Sequence, residues 1–130
     1  MAPVREGCGR DTRNLLSRFG YALRGWVEAW RCQPNIRIQA TFVVGITTLG
    51  LYLGLSTAQW AIIVLTYGVV IASELLNSAL EALTDLVSPT YHPLARRAKD
   101  IAAGAVLLTA VAALIVGLLI LGPPLLARLR

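Results

Sequence analysis

Apolar positions along the chain fall into two kinds of pattern: one amphipathic stretch, then three long and nearly uninterrupted runs. From about Asp11 to Arg31, Leu15, Phe19, Ala22, Leu23, Trp26 and Trp30 recur at intervals of three and four, with Arg18, Arg24 and Glu28 elsewhere on the cylinder. That period predicts an amphipathic helix over 11–31, with Asp11 or Thr12 as its cap. An aromatic and apolar face opposite an arginine-bearing one suits the membrane interface. The competing reading is a helix packed on a soluble partner. Gln33-Pro34-Asn35 ends the helix, because Pro34 lacks a donor and restricts Gln33. Three spans are expected at about 36–55, 60–81 and 101–121. Each is about 20 residues, enough at 1.5 Å per residue to cross a ~30 Å hydrocarbon core. Leu55 to Gln59 forms a short uncharged turn, and Ser88-Pro89-Thr90-Tyr91-His92-Pro93 a turn with two prolines. Gly122-Pro123-Pro124 is expected to close the third span, leaving a tail with Arg128 and Arg130. Residues 1–10 read as loose, and there is no internal repeat. The pattern is that of an all-α membrane protein with a single domain over 1–130.

Composition strengthens this picture. Of the 130 residues, 56% are hydrophobic and 15% charged, against about 45–50% and about 25% in soluble domains. The charges cluster at Arg5 to Arg37, Glu74 to Asp100 and Arg128 to Arg130. The net charge of +5 does not point to nucleic acid, since no aromatic-interleaved basic platform is present. Basic flanks on a membrane protein report orientation and anionic lipid. They place the N-terminal segment and the second loop on the cytoplasmic side of a plasma (inner) membrane, with Arg128 and Arg130 as a mild violation. Cys8 and Cys32 have no CxxC partner and read as incidental. No cleavable signal peptide is expected, because the first long apolar run begins only near Ile36.

The chemistry concentrates where the second span ends. Glu74, Asn77, Ser78, Glu81 and Asp85 fall within an arc of roughly 100° on a helix, with Leu75, Leu76, Leu80 and Leu83 largely on the other faces. A carboxylate at membrane depth costs roughly 2.5–3.5 kcal/mol on insertion scales and marks a functional site by default. Carboxylates stacked on one stripe can hold metal and take a proton. The alternative is a polar helix–helix contact with an exposed last turn. A second cluster, Tyr91-His92-Pro93-Leu94-Ala95-Arg96-Arg97-Ala98-Lys99-Asp100, precedes the third span. Lys99 can bind phosphate as a point charge, and Asp100 can orient it or a metal-bound water; alternatively Lys99 snorkels and the arginines serve only topology. His92 alone carries little weight. The small residues Ala102-Ala103-Gly104-Ala105 allow close helix approach, which would bring Lys99 and Asp100 near Glu81. GxxxxGK[ST], HExxH and GxSxG are all absent, as is GxGxxG with a kinase catalytic loop.

These two clusters resemble one family. Glu74-Leu-Leu-Asn77-Ser78-Ala-Leu-Glu81-x-x-x-Asp85, then His92, then Ala98-Lys99-Asp100-Ile-Ala-Ala-Gly104-Ala105-Val106, are similar to the signature of the small prokaryotic diacylglycerol kinases, which include undecaprenol kinases. The resemblance extends to Gly20-Tyr21-Ala22-Leu23-Arg24-Gly25 and to Asn35-Ile36-Arg37-Ile38. It implies a surface helix, three membrane helices and a homotrimer with shared sites. It implies transfer of the ATP γ-phosphoryl, with Mg2+, to a membrane lipid hydroxyl: diacylglycerol, or alternatively undecaprenol. Carried over by residue, Glu74 is the general base, Glu81 a magnesium ligand, and Asn77 the group that orients Glu74 or a phosphate oxygen. Tyr21, Tyr91, His92, Lys99 and Asp100 lie around the nucleotide with Glu81. At the family's second metal position, usually glutamate, this chain has Gln33; Gln39 is likewise an amide at a position acidic in some members.

The residues fit those roles. Phosphoryl transfer needs cations to spread charge and a base for the nucleophile. A glutamate at a low-dielectric boundary suits proton abstraction near neutral pH. Glu74 and Glu81 are two turns apart, roughly 10 Å along the axis, which leaves room for a hydroxyl, a γ-phosphate and a metal. Two readings of other classes compete. A proton-coupled transporter explains Glu74 but not Glu81, Asp85, Lys99 and Asp100 at one edge, and a membrane scaffold needs none of them. Lipid phosphorylation from labelled ATP separates the three.

Overall fold

The computed structural model describes residues 15–129 as four α-helices. They are α1 (Leu15–Cys32), α2 (Pro34–Leu53), α3 (Thr57–Val87) and α4 (Pro93–Leu129). The expected caps Asp11 and Thr12 lie outside the described residues. By length and composition α2, α3 and α4 can each cross a membrane.

Local chemistry fixes the helix ends. Pro34 opens α2 at a first-turn position where its missing N–H costs nothing, and Gln33 precedes it in extended backbone without capping through its side chain. Gly54 closes α2 at φ 70° and returns its N–H to Gly50 and Leu51, a conformation that favours glycine. The turn into α3 is tight: a Cβ on Gly50 would stand 3.0 Å from both Leu55 and Trp60. Ser56 caps α3 by accepting from the Gln59 N–H at 3.3 Å, while the Gln59 amide oxygen accepts from the Ser56 N–H at 2.8 Å. This capping box shows that the expected turn at Leu55 to Gln59 is already helical from Thr57.

At the other end of the chain, α4 does not stop at Gly122-Pro123-Pro124 but runs through both prolines to Leu129. Proline's fixed φ is a helical value, but each ring removes a donor to a carbonyl one turn earlier and crowds that carbonyl. Membrane helices tolerate that loss where neighbouring groups or water can satisfy those carbonyls.

Side-chain contacts set the register of the three long helices. Asn35 meets Glu74, Thr47 meets Tyr67, Ser73 meets Thr109, and Arg128 stacks over Tyr52. The stretches Asn35–Tyr52, Thr57–Ser73 and Thr109–Arg128 are therefore level with one another, and at 1.5 Å per residue each is about 24–28 Å long. The part of α4 level with α2 thus begins well after Ile101, where the third span was expected. Hydropathy does not decide this, since the apolar run of α4 is longer than one span. The end of α3 after Glu74 and the start of α4 project about 20 Å beyond this level.

The helices α3 and α4 form the main packed pair, through a stripe of half-covered residues on α4 that includes Ala98, Ala102, Val106, Thr109 and Ala113. The expected small-residue contact differs in detail. Ala102 faces the packed side, whereas Gly104 has no neighbour near its Cα and Ala103 and Ala105 are exposed. Among the described residues the single chain buries few side chains, and the one that is fully buried is Glu74. Large apolar side chains such as Phe42, Leu65, Leu76, Leu108 and Leu119 are exposed along the spans.

Candidate active site

Glu74 is 1% exposed. It sits on α3 level with the first turn of α2, where the Asn35 amide donates to its Oε1 at 2.9 Å. Its Oε2 is buried and accepts from no group. A buried acceptor without a donor is rare and costly, which marks it as a place for something else to bind. The hydroxyl of Ser78 donates to the Glu74 carbonyl at 2.9 Å, so that polar position serves the backbone of α3.

Asn77 lies one turn further along. Its amide donates to Glu81 Oε1 at 3.1 Å and its own Oδ1 is buried without a donor. Of the two expected partners of Asn77, Glu74 or a phosphate oxygen, the first is held by Asn35 instead, and the Asn77 amide holds Glu81. The sequence offered Asn35 only as part of a resemblance. Its signal was a polar side chain in the first turn of an apolar helix, directly after a helix-starting proline.

Asp85 ends the stripe, and its carboxylate pairs with Lys99 Nζ at 2.5 Å, joining the projecting ends of α3 and α4. Lys99 was expected beside Glu81; helix register places it one turn later on α3. Asp100 turns away from α3 and faces Arg96 at 3.8 Å on its own helix. His92 starts α4: its Nδ1 accepts from the Leu94 N–H at 3.2 Å and its carbonyl from the Arg96 N–H at 3.1 Å. Tyr91 is exposed beside it. A cleft of about 530 Å³ opens here, lined in part by Thr84, Ser88, His92, Ala95 and Ala98. Tyr21 stands apart on exposed α1, with the Arg24 guanidinium 6.0 Å from its ring. The structure thus pairs Asn35 with Glu74, Asn77 with Glu81 and Lys99 with Asp85, while His92 lines the cleft near α3's end and Tyr21 joins none of them within the single chain.

A chain with this stripe, these projecting ends and three membrane-length helices matches a known family model. The prokaryotic diacylglycerol kinase model fits residues 20–121. The chain belongs to the prokaryotic diacylglycerol kinase family. It is 45% identical to a diacylglycerol kinase of Synechocystis sp., over 96% of this chain and 72% of that protein. It is 42% identical to an undecaprenol kinase of Bacillus subtilis, over 89% of this chain and 98% of that protein. With a diacylglycerol kinase of Escherichia coli the identity is 29%, over 78% and 83% of the two chains. The kinase is therefore a membrane enzyme that uses ATP, and the transporter reading has no support.

Among the described residues no three His, Cys, Asp or Glu side chains converge as a metal-holding group. Magnesium does not need such a cage, since it is held by one or two carboxylates with phosphates and water. The donor set of the kinase fits that mode. Glu81 supplies a carboxylate, and the unpartnered Asn77 Oδ1 supplies a hard oxygen next to it. Gln33 is half-buried at the α1–α2 junction, two residues before the Asn35 that reaches Glu74. Gln39, one turn after Asn35, also has a buried amide oxygen without a donor.

One thiol is perturbed near this junction. Cys32 Sγ donates to Glu28 Oε1 at 3.3 Å. That hydrogen bond, and then the Glu28 charge, push the thiol above its ordinary pKa.

Proposed function

We propose that this kinase transfers the γ-phosphoryl of ATP to the hydroxyl of diacylglycerol, giving phosphatidic acid and ADP. The observation that carries the reading is Glu74: a carboxylate buried level with the start of α2, with one oxygen held and the other free. Glu74 Oε2 takes the proton of the lipid hydroxyl while that oxygen forms a bond to the γ-phosphorus. The bond from the γ-phosphorus to the bridging oxygen breaks and ADP leaves. Asn77 aligns Glu81 through the 3.1 Å hydrogen bond. Glu81 and the Asn77 oxygen would hold magnesium, with Gln33 as a weaker oxygen donor; the ion supplies charge neutralisation on the phosphates. Lys99 exchanges its ion pair with Asp85 for nucleotide phosphate, and Asp100, Tyr91, His92 and Tyr21 surround the nucleotide. The cleft lined by His92 supports the place of that residue.

The bundle works as a homotrimer with α1 lying in the membrane interface. The support is the exposed apolar surface of the spans and of α1, including Phe19, Leu23, Trp26 and Trp30. Light scattering in mild detergent should give three chains, and a fully active monomer would refute the assembly. The projecting ends of α3 and α4 face the cytoplasm across the inner membrane, as the distribution of basic residues supports.

A second reading, undecaprenol as the acceptor, has its own support in the match to nearly the whole length of the Bacillus subtilis undecaprenol kinase. Both lipids offer one primary hydroxyl to the same base. Purified protein in detergent micelles with labelled ATP and a panel of diacylglycerols and polyprenols decides between them. Absence of label in every lipid would defeat the proposal.

A further inference from the structure

We infer that Asn35 is the positioning residue for the base: its amide fixes one oxygen of Glu74 so that the other meets the lipid hydroxyl. This rests on the assignment of Glu74 as base. Among the described residues this is the one side-chain hydrogen bond between α2 and the carboxylates of the α3 stripe, at 2.9 Å across 39 positions of sequence. A buried carboxylate has free rotation about its last bond unless something holds it. Neither Asn77, which is turned to Glu81, nor Ser78, which is turned to the Glu74 carbonyl, does so. Asn35 donates to Oε1 and leaves Oε2 without a partner. The two oxygens are thereby made unequal, one structural and one reactive.

The amide type matters as much as its place. A donor without charge orients the carboxylate without pairing it in an ion pair as a lysine would. Its anchor is rigid, because Asn35 follows Pro34 in the first turn of α2, where φ is set by the ring and the helix has begun. The same turn joins α1 to α2, so the base is held from the junction with the surface helix.

The test measures lipid phosphorylation by Asn35→Ala, Asn35→Asp and Glu74→Gln, with folding checked by thermal unfolding in detergent. Asn35→Ala should lower kcat by about 10- to 100-fold, the worth of one hydrogen bond to a charged group, with KM for ATP and for lipid within about twofold of wild type. Asn35→Asp keeps shape but loses the donor. Two facing carboxyl groups then share a proton near neutral pH, so its rate should rise with pH relative to wild type. Should the alanine variant unfold, the isosteric aspartate carries the test alone. Wild-type kcat in Asn35→Ala, or a wild-type pH profile in Asn35→Asp, with Glu74→Gln inactive, overturns the role of Asn35 while leaving the base in place. A loss confined to KM overturns it as well. An active Glu74→Gln overturns the base assignment itself, and the inference with it.

Discussion

Glu74 and Asp85 lie on one stripe of one helix, yet they occupy opposite environments. Glu74 is buried, held by a neutral amide from α2, and has a free buried oxygen. Asp85 is exposed and already paired with the Lys99 cation. The first arrangement keeps a charge available in a low-dielectric place, where a single proton acceptor has the greatest effect. The second gains little stability, because an exposed ion pair is screened by solvent; for the same reason it costs little to exchange Asp85 for a phosphate. The difference teaches that one polar stripe contains a fixed, buried end and an exchangeable, exposed end; in the proposed reaction the first serves the lipid and the second the nucleotide.

The most severe test of this contrast is Glu74→Gln. It keeps size and hydrogen bonding but removes the proton acceptor, so turnover should fall by about 10²–10⁴. Folding and assembly should persist, since the amide spares the protein a buried charge. Near-normal labelling of lipid by this variant breaks the comparison at its buried end.

Lys99→Ala probes the exposed end. Removing the cation from the phosphates should raise KM for ATP by about tenfold, the scale of a charge-assisted hydrogen bond, and leave KM for lipid nearly unchanged. Unchanged ATP dependence with altered lipid preference would return Lys99 to a snorkelling role.

A smaller effect is expected at Gln33, between the two ends. An amide oxygen ligates magnesium without a formal charge, so Gln33→Glu should lower the magnesium concentration for half-maximal rate by a few fold, about the scale of one added surface-level charge contact. If Glu28 supplies the charge instead, Glu28→Gln is crippling and Gln33→Glu has little effect. A flat magnesium titration in both variants removes Gln33 and Glu28 from the metal site.

The least of these effects concerns Cys32 and involves no catalysis. Glu28 raises the thiol pKa first by the hydrogen bond and then by its charge. At neutral pH less thiolate is present than in a free cysteine, so alkylation by iodoacetamide should be slow. In a Cys8→Ser background, Glu28→Gln should speed it by a few fold, as expected for loss of one screened charge. An unchanged rate would show that the Cys32–Glu28 contact does not persist in the membrane-bound protein.

Much of this was legible in the sequence. The helical period fixed the stripe from Glu74 to Asp85, because spacing on one helix depends only on the rise and turn per residue. Three runs of sufficient length predicted three spans, and Pro34 predicted the break between α1 and α2. The family signature was readable because its residues lie within two short segments. The end of α4 was not readable: Gly122-Pro123-Pro124 looks like a stop, but the helix runs on to Leu129 despite two lost donors and the crowding of the preceding turn. The cap at Ser56 was not legible either, because its capping partner Gln59 belongs to an uncharged stretch that looks like a turn.

Pairing between helices is what only the tertiary structure decided. Sequence put Lys99 near Glu81, and the register of α4 on α3 gave it to Asp85 instead. The resemblance offered Asn77 as support for Glu74 or for a phosphate oxygen; its amide meets Glu81 on its own helix, and packing brings Asn35 to Glu74 from another. The physical reason is that a residue's face on its own helix follows from local geometry, whereas its partner depends on how far one helix slides along the next. In spans this uniformly apolar the sequence carries little record of that slide. It is set by the few polar contacts that hold the helices in register: Asn35 with Glu74, Thr47 with Tyr67, Ser73 with Thr109 and Tyr52 with Arg128.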